Sequence, residues 1–252
     1  MWVFAGGMFR SGSTLQYQIV SDLIERAGMG ERCEWMMPED FAGLAERLGA
    51  AGDGVLPMRV FKTHVCKHPM RERLRDGRAM GVSVHRDLRD VIVSGAQKAG
   101  VEPSPDYTSE MVTGCLACAD GWPDVPSLRA WSYERLTRDS AGVALEMAEH
   151  LGVACTPELA CELGRRYGAD EQRERIARAV AEGRMKQSVP GSENWHAEGD
   201  LLHANHLRDG RTGKWRDSLP AESLRIIEDL AGDWLIKHGY TLSGDLAAKE
   251  PI

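Results

Sequence analysis

The sequence lacks the features that mark membrane and nucleic-acid-binding proteins. No apolar run approaches the roughly 20 residues that a membrane-spanning helix needs. Positive charge is not in excess either, because 31 Lys and Arg face 38 Asp and Glu, a net charge of −7. Proteins that bind nucleic acid carry a basic surface, so this balance argues against such a partner. We therefore expect no membrane span and no nucleic-acid partner.

A secretory pattern is also missing. Met1 is followed at once by a short apolar run, Trp2 to Ala5, without the basic segment, longer apolar core and cleavage site of a signal peptide. The six cysteines are scattered rather than paired as in secreted disulfide-rich domains. Both features predict a cytoplasmic protein with reduced thiols. Cys115 and Cys118 form a single CxxC motif, which is compatible either with a zinc site or with two buried, reduced thiols. Without a second such motif, buried thiols are the favoured interpretation.

Length and composition are those of a globular α/β protein. The chain has 252 residues, 42% of them apolar and 27% charged, which supports one large domain or two small ones. No repeat, low-complexity tract or clear linker divides it. We therefore predict a single domain over residues 1–252, and the sequence leaves its oligomeric state open.

The chain opens with a pattern that predicts a phosphate site. A strand at Trp2–Ala5 leads into a glycine-rich turn, and helical periodicity begins at Ser13. Backbone N–H groups and the helix dipole at such a helix start bind anions. The spacing of Gly7–Thr14 is that of a nucleotide P-loop, but Ser13 occupies the position of its Lys, and Arg10 is the only cation in the loop. We therefore predict a cradle for a single 5′-phosphate rather than for the phosphates of a magnesium nucleotide.

Further strand–loop–helix units predict a parallel sheet. Strands are expected at 56–61, 79–84 and 128–132, and helices at 13–27, 88–99 and 221–238 among others. The predicted fold is a single-domain, three-layer α/β structure in which helices flank a central parallel sheet. Ligands of such sheets bind beyond the carboxyl ends of the strands. Four polar residues that could bind an anion or take part in proton transfer fall at those ends: Arg10, Lys62, His64 and Arg86.

Three intervening segments look irregular. Residues 33–41 predict an apolar loop that either lines an acceptor pocket or only covers the sheet, with Trp35 and Phe41 as candidate acceptor contacts. Residues 101–126 predict turns around a short helix, and residues 188–213 a long polar loop.

Four segments, in order along nearly the whole chain, resemble the sulfotransferases that use 3′-phosphoadenosine-5′-phosphosulfate (PAPS). Phe9–Thr14 (FRSGST) resembles the loop for the 5′-phosphosulfate, and Lys62–His64 (KTH) resembles a motif of the cytosolic branch. Arg86–Ser94 (RDLRDVIVS) resembles the family's motif R-[DN]-P-[KR]-D-V-x-x-S, and residues 208–215 (RDGRTGKW) resemble its motif R-K-G-x-x-G-x-W. Tyr133-Glu134 resembles a further short segment.

The resemblance implies a role for each matched residue. His64 would be the general base, and Lys62 and Arg10 would stabilise charge that develops on the donor. The remaining donor contacts would divide between the 5′-phosphate (Ser11, Gly12, Ser13 and Thr14), the 3′-phosphate (Arg86, Ser94, Arg208 and Gly210) and the adenine (Tyr133). Leu15 replaces the Trp that often stacks on adenine in the family.

The predicted reaction is sulfuryl transfer from PAPS, without a metal, to a hydroxyl or amine of a small or medium-sized acceptor. The product of the donor would be adenosine 3′,5′-bisphosphate (PAP). Two other classes stay open: a P-loop kinase, disfavoured by the missing Walker Lys, and a silent nucleotide-binding module, disfavoured by the intact pair Lys62 and His64.

Overall fold

A central parallel sheet organises the chain. The computed structural model describes residues 1–49, 57–187, 195–197, 201–204 and 210–244. The five strands of this sheet have the order β2-β3-β1-β4-β5, and every neighbouring pair is parallel. Their bounds are β1 Trp2–Ala5, β2 Gly30–Trp35, β3 Met58–Lys62, β4 Ala79–His85 and β5 Leu128–Ser132.

Helices connect and cover these strands. They are α1 Ser13–Arg26, α2 Phe41–Gly49, α3 His68–Arg75, α4 Leu88–Ala99, α5 Pro105–Asp120, α6 Tyr133–Arg138, α7 Ser140–Leu151, α8 Pro157–Arg166, α9 Ala169–Ala181, α10 Trp215–Ser218 and α11 Ala221–Lys237. A second, antiparallel sheet consists of β6 Met185–Gln187, β7 Trp195–Ala197 and β8 Leu202–His203. The predicted fold, helices around a central parallel sheet, is confirmed.

The alternation of side chains along β1 creates the layers. Val3 and Ala5 pack in the apolar cluster that contains residues of α1, α7 and α8. Phe4, between them in sequence, belongs to a different cluster with residues of α2 and α3. Since successive side chains of a strand point to opposite faces, helices cover both faces of the sheet. A further apolar cluster joins α4, α5 and α11.

The prediction of a loop over residues 33–41 was wrong in its first part. Cys33 to Trp35 belong to β2, the edge strand that pairs with β3. Its sequence, Gly30–Trp35 (GERCEW), carries charges on both faces and shows no alternation, so periodicity gave no strand signal. Sheet pairing with β3 overrides that weak local preference.

Phe41 does not line an acceptor pocket, and that prediction was wrong. It is the first residue of α2 and is fully buried. Its ring packs edge-on against Trp2 and Phe4, with centroid separations of 5.3 and 5.2 Å. Phe41 therefore belongs to the hydrophobic core between α2 and β1.

Two other irregular segments contain more regular structure than predicted. The turn-rich segment 101–126 holds α5, whose 16 residues exceed the short helix expected there. Cys115 and Cys118 lie on this helix and are buried, as the buried-thiol interpretation predicts, and burial raises the pKa of the Cys115 thiol to about 12. In the part of the long loop that the structure describes, β7 and β8 form short antiparallel strands.

None of the described helices combines the length and the apolar character that crossing a membrane requires. Among the same residues, no group of three or more His, Cys, Asp or Glu side chains is arranged to hold a metal ion.

Candidate active site

The turn between β1 and α1 adopts a backbone conformation that few side chains tolerate. Gly7 has φ 142° and Gly12 has φ 87°, and Arg10 between them has φ 57°. A Cβ on Gly7 would stand 2.7 Å from the carbonyl oxygen of Val84, so the turn must pass close to β4. The Ser11 hydroxyl donates to the Met8 carbonyl at 2.8 Å and braces the turn from within. Gly12 caps the start of α1. From there on, the first N–H groups of the helix have no acceptor within it and are available to a ligand.

Gly12→Ala is expected to destabilise the protein by about 1–3 kcal/mol, because it combines left-handed backbone strain with a clash. A Cβ on Gly12 would lie 2.7 Å from the buried ring of Tyr133. Gly28→Ala is the matched control, since Gly28 has φ 64° and a Cβ there meets nothing within 4 Å. Chemical denaturation should show the larger loss for Gly12→Ala, and equal losses would contradict the clash with Tyr133.

Two cations lie at this turn, Lys62 beside it and Arg10 within it. Lys62, the last residue of β3, is only 3% exposed, and its Nζ donates to the Thr14 hydroxyl at 2.8 Å. Burial, together with the positive charges of Lys98 and Arg10, lowers the pKa of Lys62 to about 8. Arg10 donates from Nε to the Ser94 hydroxyl at 3.0 Å. The loop, β3 and α4 therefore place two positive charges and two hydroxyl groups in one place.

His64 follows β3 by two residues and presents one ring nitrogen as an acceptor. Its Nδ1 lies 2.6 Å from the carbonyl oxygen of Gly7. A carbonyl can only accept, so Nδ1 carries the proton and the lone pair is on Nε2. Burial, followed by the charge of Lys62, lowers the pKa of His64 to about 4. At neutral pH the imidazole is therefore uncharged and able to take up a proton.

Aromatic rings enclose His64. The ring of Phe9 lies 4.7 Å and that of Trp35 lies 4.9 Å from the imidazole, centroid to centroid. Trp35 is 40% exposed, and Lys62 Nζ stands 5.4 Å from its ring. The end of β2 thus brings Trp35 next to the candidate base.

Arg86 directly follows β4 and contacts the phosphate loop at Arg10. The guanidinium is stacked over the ring of Tyr133 at 4.1 Å and is 6% exposed. It donates to the carbonyls of Arg10 at 3.3 Å and Arg211 at 3.0 Å. Its Nε is buried and has no hydrogen-bond partner among the described residues. Tyr133 in turn donates to the Gly210 carbonyl at 3.3 Å.

Asp90 has a positioning role that sequence reasoning missed. Its carboxylate accepts from the N–H of Gly213 at 2.6 Å and from that of Trp215 at 3.1 Å. Arg89 stacks over the Trp215 ring at 4.0 Å. These contacts attach the segment 210–215 to the start of α4, next to Arg86. Arg208, predicted to bind the 3′-phosphate, lies outside the described residues.

Most of these groups line one cavity of about 220 Å³, but the predicted acceptor contact Trp35 is not part of its lining. Ser11 is fully buried and is not part of its lining. The sequence did not single out several of the residues that do line it, because they belong to no motif. The predicted residues in the lining are Arg10, Gly12, Ser13, Thr14, Lys62, His64, Arg86, Ser94, Tyr133 and Gly210; the additional ones include Gln18, Gln97, Lys98, Tyr167, Gln172 and His203.

Solved structures share this fold. A retinol dehydratase in complex with androsterone and the inactive cofactor PAP is 18% identical, with a TM-score of 0.58 over 96% of this chain and 83% of that one. The same TM-score and identity hold for a retinol dehydratase complex with retinol and PAP, over 95% and 82%. Mouse sulfotransferase SULT7A1 complexed with PAP is 13% identical, with a TM-score of 0.62 over 98% and 88%.

The family comparison rests on sequence. No curated protein sequence matched this chain. The model of the sulfotransferase domain family, by contrast, matches residues 3–239. That match contains the phosphate loop, the pair Lys62 and His64, Arg86 and the segment 210–215. The chain therefore belongs to the sulfotransferase family, which confirms the prediction of a PAPS-dependent sulfotransferase made from the four motifs.

Proposed function

We propose that this protein transfers the sulfuryl group of PAPS to a hydroxyl or amine of a small or medium-sized acceptor, with His64 as the general base. The observation that carries the proposal is the bond from His64 to the Gly7 carbonyl, which leaves Nε2 as a proton acceptor beside Lys62. One domain, residues 1–252, would contain both substrate sites.

The donor fits the charges of the cavity. The start of α1, with Ser13 and Thr14, suits the 5′-phosphate, and Arg10 and Lys62 suit the sulfuryl group next to it. Arg86 suits the 3′-phosphate, because its buried Nε is an unused donor and a phosphate supplies acceptors. PAP in the related structures supports a donor of this type.

The chemistry follows from these positions. The acceptor oxygen forms a bond to sulfur while the bond between sulfur and the 5′-phosphate oxygen breaks. The acceptor proton passes to Nε2 of His64, and the negative charge that gathers on the leaving phosphate is stabilised by Lys62, Arg10 and the Thr14 hydroxyl. Positive side chains thus supply the charge stabilisation that magnesium supplies in kinases.

The acceptor would enter along the aromatic side of His64. Phe9 and Trp35 contact the imidazole, and Trp35 is partly exposed. Aromatic faces suit an acceptor with an apolar body. The androsterone and retinol of the related retinol dehydratase structures are small molecules of this character.

Arg86→Ala should weaken PAP binding by about 10- to 100-fold, because charge-assisted hydrogen bonds contribute roughly 1.5–3 kcal/mol. Affinity for adenosine 5′-monophosphate, which has no 3′-phosphate, should change much less. Arg138→Ala, at an exposed position of α6, is the matched control. Calorimetry gives the ratio of the dissociation constants of PAP and adenosine 5′-monophosphate for each variant. If this ratio were the same in Arg86→Ala as in wild type, Arg86 would not belong to the 3′-phosphate site.

Equilibrium binding tests the proposed function against the kinase alternative. The protein should bind PAP more tightly than ATP, and a chelator should leave PAP binding and sulfuryl transfer intact. ATP binding that exceeds PAP binding and requires magnesium would favour a P-loop kinase instead.

A further inference from the structure

The aromatic contacts predicted for adenine are incomplete in this chain. Leu15 stands where the family often has a Trp, and Arg86 covers one face of the Tyr133 ring at 4.1 Å. The base is the uncharged, planar part of PAPS. Proteins hold such bases between apolar or aromatic side chains and recognise them by hydrogen bonds at the edge of the ring. Further groups of the cavity would therefore have to supply those hydrogen bonds.

The cavity continues along α1 from the phosphate loop to α9. Thr14 and Gln18, four residues apart on one face of α1, both line it, and so does Leu15. The adjoining wall comes from α9, where Gln172 and Ile176 are also four residues apart. None of the described lining residues that these two helices contribute is charged. This part of the cavity therefore suits the base rather than the phosphates.

The side-chain amide of Gln172 is held in one orientation. Gln172 is buried, and its Oε1 accepts from Arg175 Nη1 at 3.1 Å. A guanidinium can only donate, so the amide atom that faces it is the oxygen. The Gln172 nitrogen accordingly faces the buried Gln18 and donates to its Oε1 at 2.6 Å. Turning the amide by 180° would set donor against donor at Arg175 and acceptor against acceptor at Gln18.

These two bonds do not exhaust the hydrogen-bonding capacity of Gln172. An amide nitrogen has two N–H groups and an amide oxygen has two lone pairs, and the described contacts use one of each. A glutamine amide pairs with adenine when its N–H donates to a ring nitrogen and its oxygen accepts from the 6-amino group. Hypoxanthine and guanine carry an oxygen at position 6, which the Gln172 oxygen would repel. A fixed amide therefore distinguishes these bases from adenine, whereas a freely turning amide could adapt to them.

We propose that Gln172 recognises the adenine of the donor, while Leu15 and Ile176 pack against the base. Arg175 and Gln18 hold the amide in the orientation that selects a 6-amino purine. Gln172 is then a specificity-determining residue, and Arg175 is a positioning residue that acts through it. The inference rests on the proposed function, since it concerns the donor of the same site.

The test compares nucleotides that differ only in the base. PAP and inosine 3′,5′-bisphosphate have the same ribose and phosphates, but position 6 carries an amino group in the first and an oxygen in the second. Calorimetry on wild-type protein should show PAP bound about 5- to 150-fold more tightly, the range for one correctly paired base edge. Equal affinities would overturn the inference.

Gln172→Met removes the amide and nearly keeps the length of the side chain. The affinity for PAP should fall until PAP and the inosine nucleotide bind about equally, whereas a merely structural defect would weaken both alike. Adenosine 5′-monophosphate, which has the same base, should lose the same factor as PAP, in contrast to its behaviour with Arg86→Ala.

Gln97→Met is the matched control, because Gln97 also lines the cavity but lies on α4. It should keep the preference for PAP over the inosine nucleotide. Loss of that preference in Gln97→Met instead of Gln172→Met would place the base against α4 and overturn the inference.

The orientation of the amide is tested on variants that keep Gln172. Arg175→Met should lose most of the preference by gaining affinity for the inosine nucleotide, because the amide can then turn. Arg175→Lys, which keeps a donor, should retain the preference. Arg175 is only partly buried, so both variants should fold even if Gln172→Met does not. Full preference for PAP in Arg175→Met would overturn the fixed amide as the source of selectivity.

The outcomes separate this inference from the proposed function. Protein that binds PAP but does not distinguish it from inosine 3′,5′-bisphosphate would overturn the role of Gln172 alone. Failure to bind PAP at all would instead contradict the proposed function.

Discussion

His64→Ala is expected to lower kcat by about 10²–10⁴-fold, the range for losing a positioned general base. The affinity for PAP should stay nearly unchanged, because His64 contacts the Gly7 carbonyl and aromatic rings rather than the phosphate loop N–H groups. His68→Ala is the matched control: its side chain is 81% exposed, at the start of α3. Steady-state rates and PAP calorimetry on both variants give the comparison.

The dependence on the acceptor identifies the step that His64 serves. The loss in His64→Ala should shrink for phenols of low pKa, such as nitrophenols, because these need less help in losing the proton. A His64→Ala enzyme that keeps near wild-type turnover with a poorly acidic hydroxyl would remove His64 from the mechanism.

The pH profile provides a second check on His64. The base is active when it is unprotonated, so activity is lost as the pH falls through its pKa. Because that pKa is lowered to about 4, kcat/KM should stay level through pH 6.5, the ordinary value for histidine, and fall only near pH 4. A fall of kcat/KM already near pH 6.5 would show that the imidazole is not buried as the structure describes.

Lys62→Met is expected to reduce kcat by about 10²–10³-fold, the usual effect of removing one group that stabilises charge in the transition state. The loss should be similar for acidic and ordinary acceptors, in contrast to His64→Ala, because Lys62 acts on the donor. Methionine has similar length and suits a buried position, so the fold should be retained. Circular dichroism and thermal unfolding provide that control, and a loss that grows with acceptor pKa would contradict the assignment.

The basic limb of the profile should belong to Lys62. Lys62 is active when it is protonated, so activity falls as the pH rises through its pKa of about 8. Arginine stays charged at that pH, and the basic limb of Lys62→Arg should therefore move to higher pH at whatever rate remains. An unmoved limb would assign it to a different group.

The sequence was most informative where local pattern and fold agree. The strand Trp2–Ala5 and the helix Leu88–Ala99 have the predicted bounds, because continuous apolar runs and the helical period are strong signals. The positions of Lys62, His64 and Arg86 could be predicted because parallel strands bring their carboxyl ends to one edge.

Other features depend on contacts that no local pattern encodes. β2 is a charged edge strand and exists through its pairing with β3. Phe41 looked available to a ligand, but the packing of α2 against β1 buries it. Asp90 likewise acts through a segment more than 100 residues away in the chain, as its bond to Gly213 shows.

The most direct test of the account is transfer itself. Wild-type protein would be incubated with PAPS labelled in its sulfuryl group, a chelator and a panel of phenols and aliphatic alcohols of graded pKa, and PAP and labelled product would be quantified together. The account predicts one labelled sulfate ester or sulfamate for each PAP formed, without a metal requirement, and loss of product in His64→Ala and Lys62→Met. Absence of transfer from PAPS to every acceptor by protein that binds PAP, or label transfer that His64→Ala leaves unchanged, would contradict it.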